Sequence, residues 1–143
     1  MIRSIIVATV LVAGLGTVPK VAASAAQAGA QVTAADAAPF VGDWTLAMQG
    51  QNGPATFELS VKVEKDKVVA EIKGGEMPVQ PITDVSKTEK SLVLRYSFDY
   101  QGNAVPTAVS LIPADGGKTT AEIDFAGGAY VMTGTATKKE SAK

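Results

Sequence analysis

From Trp44 onward the chain alternates apolar and polar positions with a period of two, the mark of strands that bury one face. Trp44, Leu46 and Met48 open the series. Phe57, Leu59, Val61 and Val63 alternate with Glu58, Ser60, Lys62 and Glu64, and Val68, Ala70 and Ile72 continue the pattern. Leu92, Leu94, Tyr96, Phe98 and Tyr100 alternate with Val93, Arg95, Ser97 and Asp99. Ala121, Ile123 and Phe125 alternate with Glu122 and Asp124, and weaker versions run through Val105, Thr107, Val109 and Leu111 and through Tyr130, Met132, Gly134 and Ala136. Residues 77–86 form one further strand, in which Pro78 and Pro81 each remove a backbone donor and so suit an edge or a bulge. No stretch shows a helical period over a useful length.

Turn chemistry separates these runs. Glycines and an Asn-Gly pair lie in 49–54, a polar break at Lys65-Asp66, Gly74-Gly75 soon after, and polar or Gly-rich breaks at 86–90, 101–103, 114–117 and 126–128. Gly and Asn reach the positive φ angles that tight hairpins need. Seven turns imply eight strands. The predicted fold is therefore all-β, an eight-stranded antiparallel up-and-down meander closed into a barrel, because closure removes the exposed edges. A β-sandwich is the alternative. The absent Cys pair and the position of Trp44 at the start of the domain argue against its immunoglobulin form.

The amino-terminal segment follows a different logic. A positive start at Arg3 leads into the uncharged apolar run 4–16, shorter than the roughly 20 residues needed to cross a bilayer. Small residues follow, with A-x-A cleavage sites at Ala23-Ser24-Ala25 and Ala26-Gln27-Ala28. Positive, apolar and small-residue regions in that order predict a cleavable secretory signal peptide over 1–28. No Cys follows the run, so no bacterial lipoprotein anchor is expected. Residues 29–39 read as a flexible Ala-rich leader, 40–139 as the β-barrel domain and 140–143 as a frayed tail. The mature protein is thus expected in the periplasm or outside a bacterial cell, with no stable membrane anchor.

Charge and composition narrow the chemistry. Without Arg3 and Lys20, the mature chain carries eleven basic and fourteen acidic residues, a net charge of −3. The signs alternate without runs, so no footprint for nucleic acid is present. The chain has no Cys and no His, which removes disulfides, thiolate chemistry, the usual acid-base side chain near neutral pH and the commonest metal ligand. Asp99, Asp115 and Asp124 do not follow calcium-loop spacing, and the Gly-rich turns precede strands and not helices, so they are not phosphate loops. No metal, cofactor or catalytic set is expected, and binding ranks above catalysis.

Gly42-Asp43-Trp44 opens the first strand. A G-x-W there, followed by an eight-strand meander, resembles the lipocalin and avidin-like barrels of the calycin group. More closely, it resembles short lipocalin-like domains of bacterial secreted proteins, with an ending like 123–128 followed by Thr133-Gly-Thr135. The resemblance implies that Trp44 packs across the closed end of the barrel and that a basic residue from the last strand covers it, here Lys138 or Lys139. The chain departs from typical lipocalins in being short, in lacking the helix beside the barrel and in having no disulfide.

The inward positions yield the candidate site. Trp44, Met48, Phe57, Tyr96, Phe98, Phe125, Tyr130 and Met132 would line an apolar pocket whose tyrosine hydroxyls orient a small apolar ligand. The other reading of the same residues is a filled core, with the domain acting as a structural or protein-interaction module that carries no ligand. Arg95, the only arginine of the mature chain, either meets an anion at the barrel mouth or pairs with a carboxylate on a neighbouring strand, such as Glu71 or Asp124.

Overall fold

A computed structural model describes residues 32–140. The expected signal peptide, the first residues of the leader and the last three residues of the tail lie outside the described residues. Nine strands follow one another: β1 (Gly42–Gly50), β2 (Gly53–Glu64), β3 (Lys67–Gly74), β4 (Met77–Ile82), β5 (Asp84–Lys87), β6 (Leu92–Tyr100), β7 (Asn103–Pro113), β8 (Thr119–Phe125) and β9 (Tyr130–Lys138). All pairings are antiparallel, in the order β4-β3-β2-β1-β9-β8-β7-β6-β5. Turn residues sit where hairpins need them. Lys65 and Asp66 both take positive φ (49° and 64°), as do Gln101 and Gly102 (52° and 81°), which matches the twist of the flanking strands.

The all-β antiparallel meander is as expected, but the eight-strand closed barrel is not what forms. The single strand expected over residues 77–86 divides at Thr83. Ile82 pairs with Ala70 and Val85 with Leu94, and both side chains are buried in one core. Core-facing positions two apart keep a strand's alternation, and these are three apart, so the pleat slips by one residue between them. The first half of the run stays paired to β3 and the second half to β6. β4 and β5 are therefore the two edges of a single unclosed ladder. The edges adjoin, with β4 approaching β6 and β3 approaching β5. Both prolines, Pro78 and Pro81, sit on edge strand β4, where a missing donor costs no ladder bond on the open side.

One face of the curled sheet holds the core. Leu46, Leu94, Val109, Leu111 and Ile123 have no solvent exposure, and Leu59, Ile72 and Ile82 have 1% each. Each such side chain contributes about 1.5–3 kcal/mol on burial. Gly134 lets β9 approach β1: a Cβ there would collide with the Ala47 carbonyl.

The leader also departs from expectation. Residues 34–40 are folded and not a flexible tether. Thr33 caps a short helix, α1 (Ala34–Ala37), by accepting from the Asp36 N–H at 3.2 Å, and a 3₁₀ turn (Ala38–Phe40) follows. Val32, Ala37 and Phe40 are buried in the same core cluster as the strands. The Val32 N–H reaches the Val85 carbonyl at 3.5 Å, and Lys87 Nζ pairs with Asp36 at 3.1 Å. Small Ala residues permit this close seating, and the segment stoppers the end of the sheet where β1 begins.

Candidate functional site

The two ends of the sheet differ. At the stoppered end, Trp44 is 5% exposed and its indole Nε1 donates to the Phe40 carbonyl at 2.7 Å. Lys138 Nζ lies over the ring, 5.6 Å from its centre. Gly42, with φ of +131°, leaves room for the lysine stem: a Cβ there would sit 2.7 Å from Lys138 Cε. Of the two lysines that could cover Trp44, the structure selects Lys138. Lys139 instead pairs with Glu58 at 2.5 Å on the outer face.

The opposite end carries the hairpin turns 51–52, 75–76, 101–102 and 126–129, and no element among the described residues covers it. There the side chains of Tyr96, Phe98, Phe125 and Tyr130 form a chain of rings. Their centroids are 6.3 Å apart for Tyr96 and Phe98, 6.2 Å for Phe98 and Phe125, and 5.8 Å for Phe125 and Tyr130. The Phe98–Phe125 contact is edge-to-face, an arrangement the ring quadrupoles favour. All four rings are half-buried. Glycines make room beside them. A Cβ at Gly50 would strike the Tyr130 hydroxyl and the Met132 side chain, and one at Gly74 would lie 2.6 Å from the Phe57 ring.

The expected site residues thus fall into two groups. Met48, Phe57, Tyr96, Phe98, Phe125, Tyr130 and Met132 lie on the inward face toward the uncovered end, with Met48, Phe57 and Met132 buried. Trp44 stands apart. It lies four residues before Met48 on β1, about 13 Å away along the strand, at the stoppered end. The middle of the interior between the two ends is filled by the fully buried aliphatic side chains.

One atom in the aromatic group is out of balance. The Tyr96 hydroxyl is buried and has no hydrogen-bond partner. Burial pushes its pKa up to about 12, so it remains a proton donor throughout the physiological range. Its ladder partner Thr107 is buried too, but the Thr107 hydroxyl donates to the Val105 carbonyl at 3.4 Å. Sequence patterning placed Tyr96 on the inward face. That its oxygen would lack a partner depends on the neighbours across the fold and had no local signal.

Two grooves lie on the outer face. One, of about 360 Å³, includes Asp84, Arg95, Ser97, Ala108 and Asp124, and Tyr96 and Thr107 also border it. Asp84, Arg95, Ala108 and Asp124 form one row across β5, β6, β7 and β8, with Ala108 as its floor. Arg95 Nη1 donates to the buried Ser86 Oγ at 2.8 Å. Neither expected carboxylate is on a strand beside β6. Asp124 is two strands away and accepts from the Gly128 N–H, and Glu71 sits on β3 with its carboxylate 4.0 Å from Lys62 Nζ. The second groove, of about 290 Å³, includes Asp43, Glu58, Ser60, Lys73 and Lys139. There Lys139 first and Lys73 second hold the Glu58 carboxyl down at about 2, and Lys73 Nζ is 2.7 Å from it.

Comparison with known proteins finds no matching family model, no matching curated protein and no matching solved structure. The functional reading rests on the site itself.

Proposed function

We propose that this is an exported, lipocalin-like β-domain that binds a small apolar molecule at the uncovered end of its sheet. The guest sits against Phe98, Phe125 and Tyr130, with Tyr96 behind them and Met48, Phe57 and Met132 as the floor. The observation that carries this reading is the buried, unpartnered Tyr96 hydroxyl beside half-open rings. A buried donor without a partner costs about 1–3 kcal/mol, and a ligand acceptor would recover it. The asymmetry of the ends supports the same reading, since one end is stoppered by α1 and the other is left aromatic. Lys138 over Trp44 supports the lipocalin-like relationship, and the positive, apolar and small-residue order of residues 1–28 supports export to the periplasm or beyond.

The site differs from a deep barrel cavity. Because the middle is filled by Leu46, Leu94, Val109 and Ile123, a guest rests at the end of the core. The decisive experiment is native mass spectrometry of the protein recovered from its own host, paired with calorimetric titration by naphthalene derivatives. Binding should be lost in Phe98→Ala and Tyr130→Ala, which keep the strands' inward pattern apolar. A ligand-free mass, together with titrations that show no heat, would remove the proposal.

The filled middle also favours a second reading, a protein-interaction module without a ligand. Crosslinking in cells followed by pull-down would then recover a stoichiometric partner, and Phe98→Ala would not weaken small-molecule binding because there would be none.

A further inference from the structure

Resting on the ligand-binding reading above, the chemistry of the uncovered end narrows what the guest can be. Two lysines occupy core-side positions of the ladder, Lys87 and Lys138. Both are at the stoppered end: Lys87 pairs with Asp36 of α1, and Lys138 lies over Trp44. Toward the uncovered end the inward positions, among them Met48, Phe57, Tyr96, Phe98, Phe125 and Tyr130, carry no charge. A carboxylate guest, such as a fatty acid, would be desolvated there without a cation to meet it, which is costly. A cation would be drawn to ring faces, but it too would be desolvated with no inward carboxylate to pair it.

We infer that the guest is an uncharged, flat molecule, aromatic or conjugated, that carries one hydrogen-bond acceptor oxygen and presents it to the Tyr96 hydroxyl. Flatness follows from the rings. Tyr96, Phe98, Phe125 and Tyr130 are spaced at 5.8–6.3 Å, and a planar face adds to such a chain by offset or edge contacts. The acceptor follows from the orphaned hydroxyl. Neutrality follows from the uncharged lining. Ketones, quinones and aryl ethers meet all three conditions.

Three probes of one shape separate these conditions: acetylnaphthalene, with a neutral acceptor; isopropylnaphthalene, with none; and naphthoate, with a charged one. Each is titrated calorimetrically into the purified protein and into Tyr96→Phe, a variant expected to fold because it loses only an unpaired oxygen. Acetylnaphthalene should bind about three- to ten-fold tighter than isopropylnaphthalene, the scale of one neutral hydrogen bond, and naphthoate should bind weakest. In Tyr96→Phe the preference for the ketone should vanish, with isopropylnaphthalene unchanged. Equal binding of ketone and hydrocarbon, a preference that survives Tyr96→Phe, or tightest binding of naphthoate would each overturn the inference while leaving a ligand site at this end. If no probe binds in a way that Phe98→Ala weakens, the underlying reading falls with it.

Discussion

Lys138 Nζ stands 5.6 Å from the centre of the Trp44 ring, so the last strand's cation is laid on the first strand's indole. An exposed cation–π contact is worth about 0.5–1 kcal/mol. Lys138→Met, which keeps the aliphatic stem, should lose about that much stability in urea unfolding. It should also shift Trp44 emission, since the cation leaves the ring face. An unchanged midpoint and an unchanged spectrum would show that the contact contributes nothing.

Phe40 tests whether the segment before β1 belongs to the fold. It is 4% exposed, and its carbonyl accepts from Trp44. Phe40→Ala should cost about 3–5 kcal/mol, the usual range for truncating a buried Phe. A loss below about 1 kcal/mol would mean that residues 34–40 merely rest on the domain.

Tyr96→Phe should stabilise the ligand-free protein. Removing an unpaired buried hydroxyl relieves a desolvation cost of about 1–3 kcal/mol. Thermal unfolding of the free protein is the measurement, and a lower midpoint would reveal a partner for the oxygen.

Glu58 predicts an acid response. Its folded pKa of about 2 lies below the ordinary 4.5, held there by Lys139 and then Lys73. The depressed folded value means that its contribution is full above about pH 4.5 and is lost as pH falls toward 2. The group is exposed, so the contribution is small and screened by salt. Glu58→Gln should flatten the stability profile across that window at low ionic strength and do little at neutral pH. A profile identical to the parent's would dismiss the clasp.

Gly134→Ala should be the most damaging of the small changes. A Cβ there meets the Ala47 carbonyl across the β1–β9 pair, and backbone cannot step aside as a side chain can. Loss of the folded state, read by circular dichroism, is expected. Full retention would show that the two strands have room to separate.

Much of this fold was legible because period-two patterning is local. Phe57 to Val63 and Leu92 to Phe98 announce their inward faces without knowledge of the partner strands. The division at Thr83 was not legible in the same way. Two prolines marked residues 77–86 as irregular, but the slip between Ile82 and Val85 is decided by which neighbour each half pairs with, and that is tertiary. The stopper formed by Ala37 and Phe40 was missed because its Ala-rich sequence has little apolar bulk. It is buried by fit against a surface that other strands build. For the site, patterning put all eight residues on inward faces but could not divide them between the ends, with Trp44 at one and the other seven toward the other, since inward-facing is a property of a strand and distance along the axis is not.

The β1–β9 pairing has a consequence for how the chain is made. All the other ladder pairings join strands adjacent in sequence, whereas Trp44 waits for Lys138. A nascent chain can therefore build its hairpins in turn as they emerge, but β1 keeps one side bare until the last strand has been synthesised. That bare side is a template for another copy's strand. Truncation ahead of residue 130 should then open that side to another copy and increase self-association, which makes the final nine residues of the ladder a guard against it as much as a source of stability.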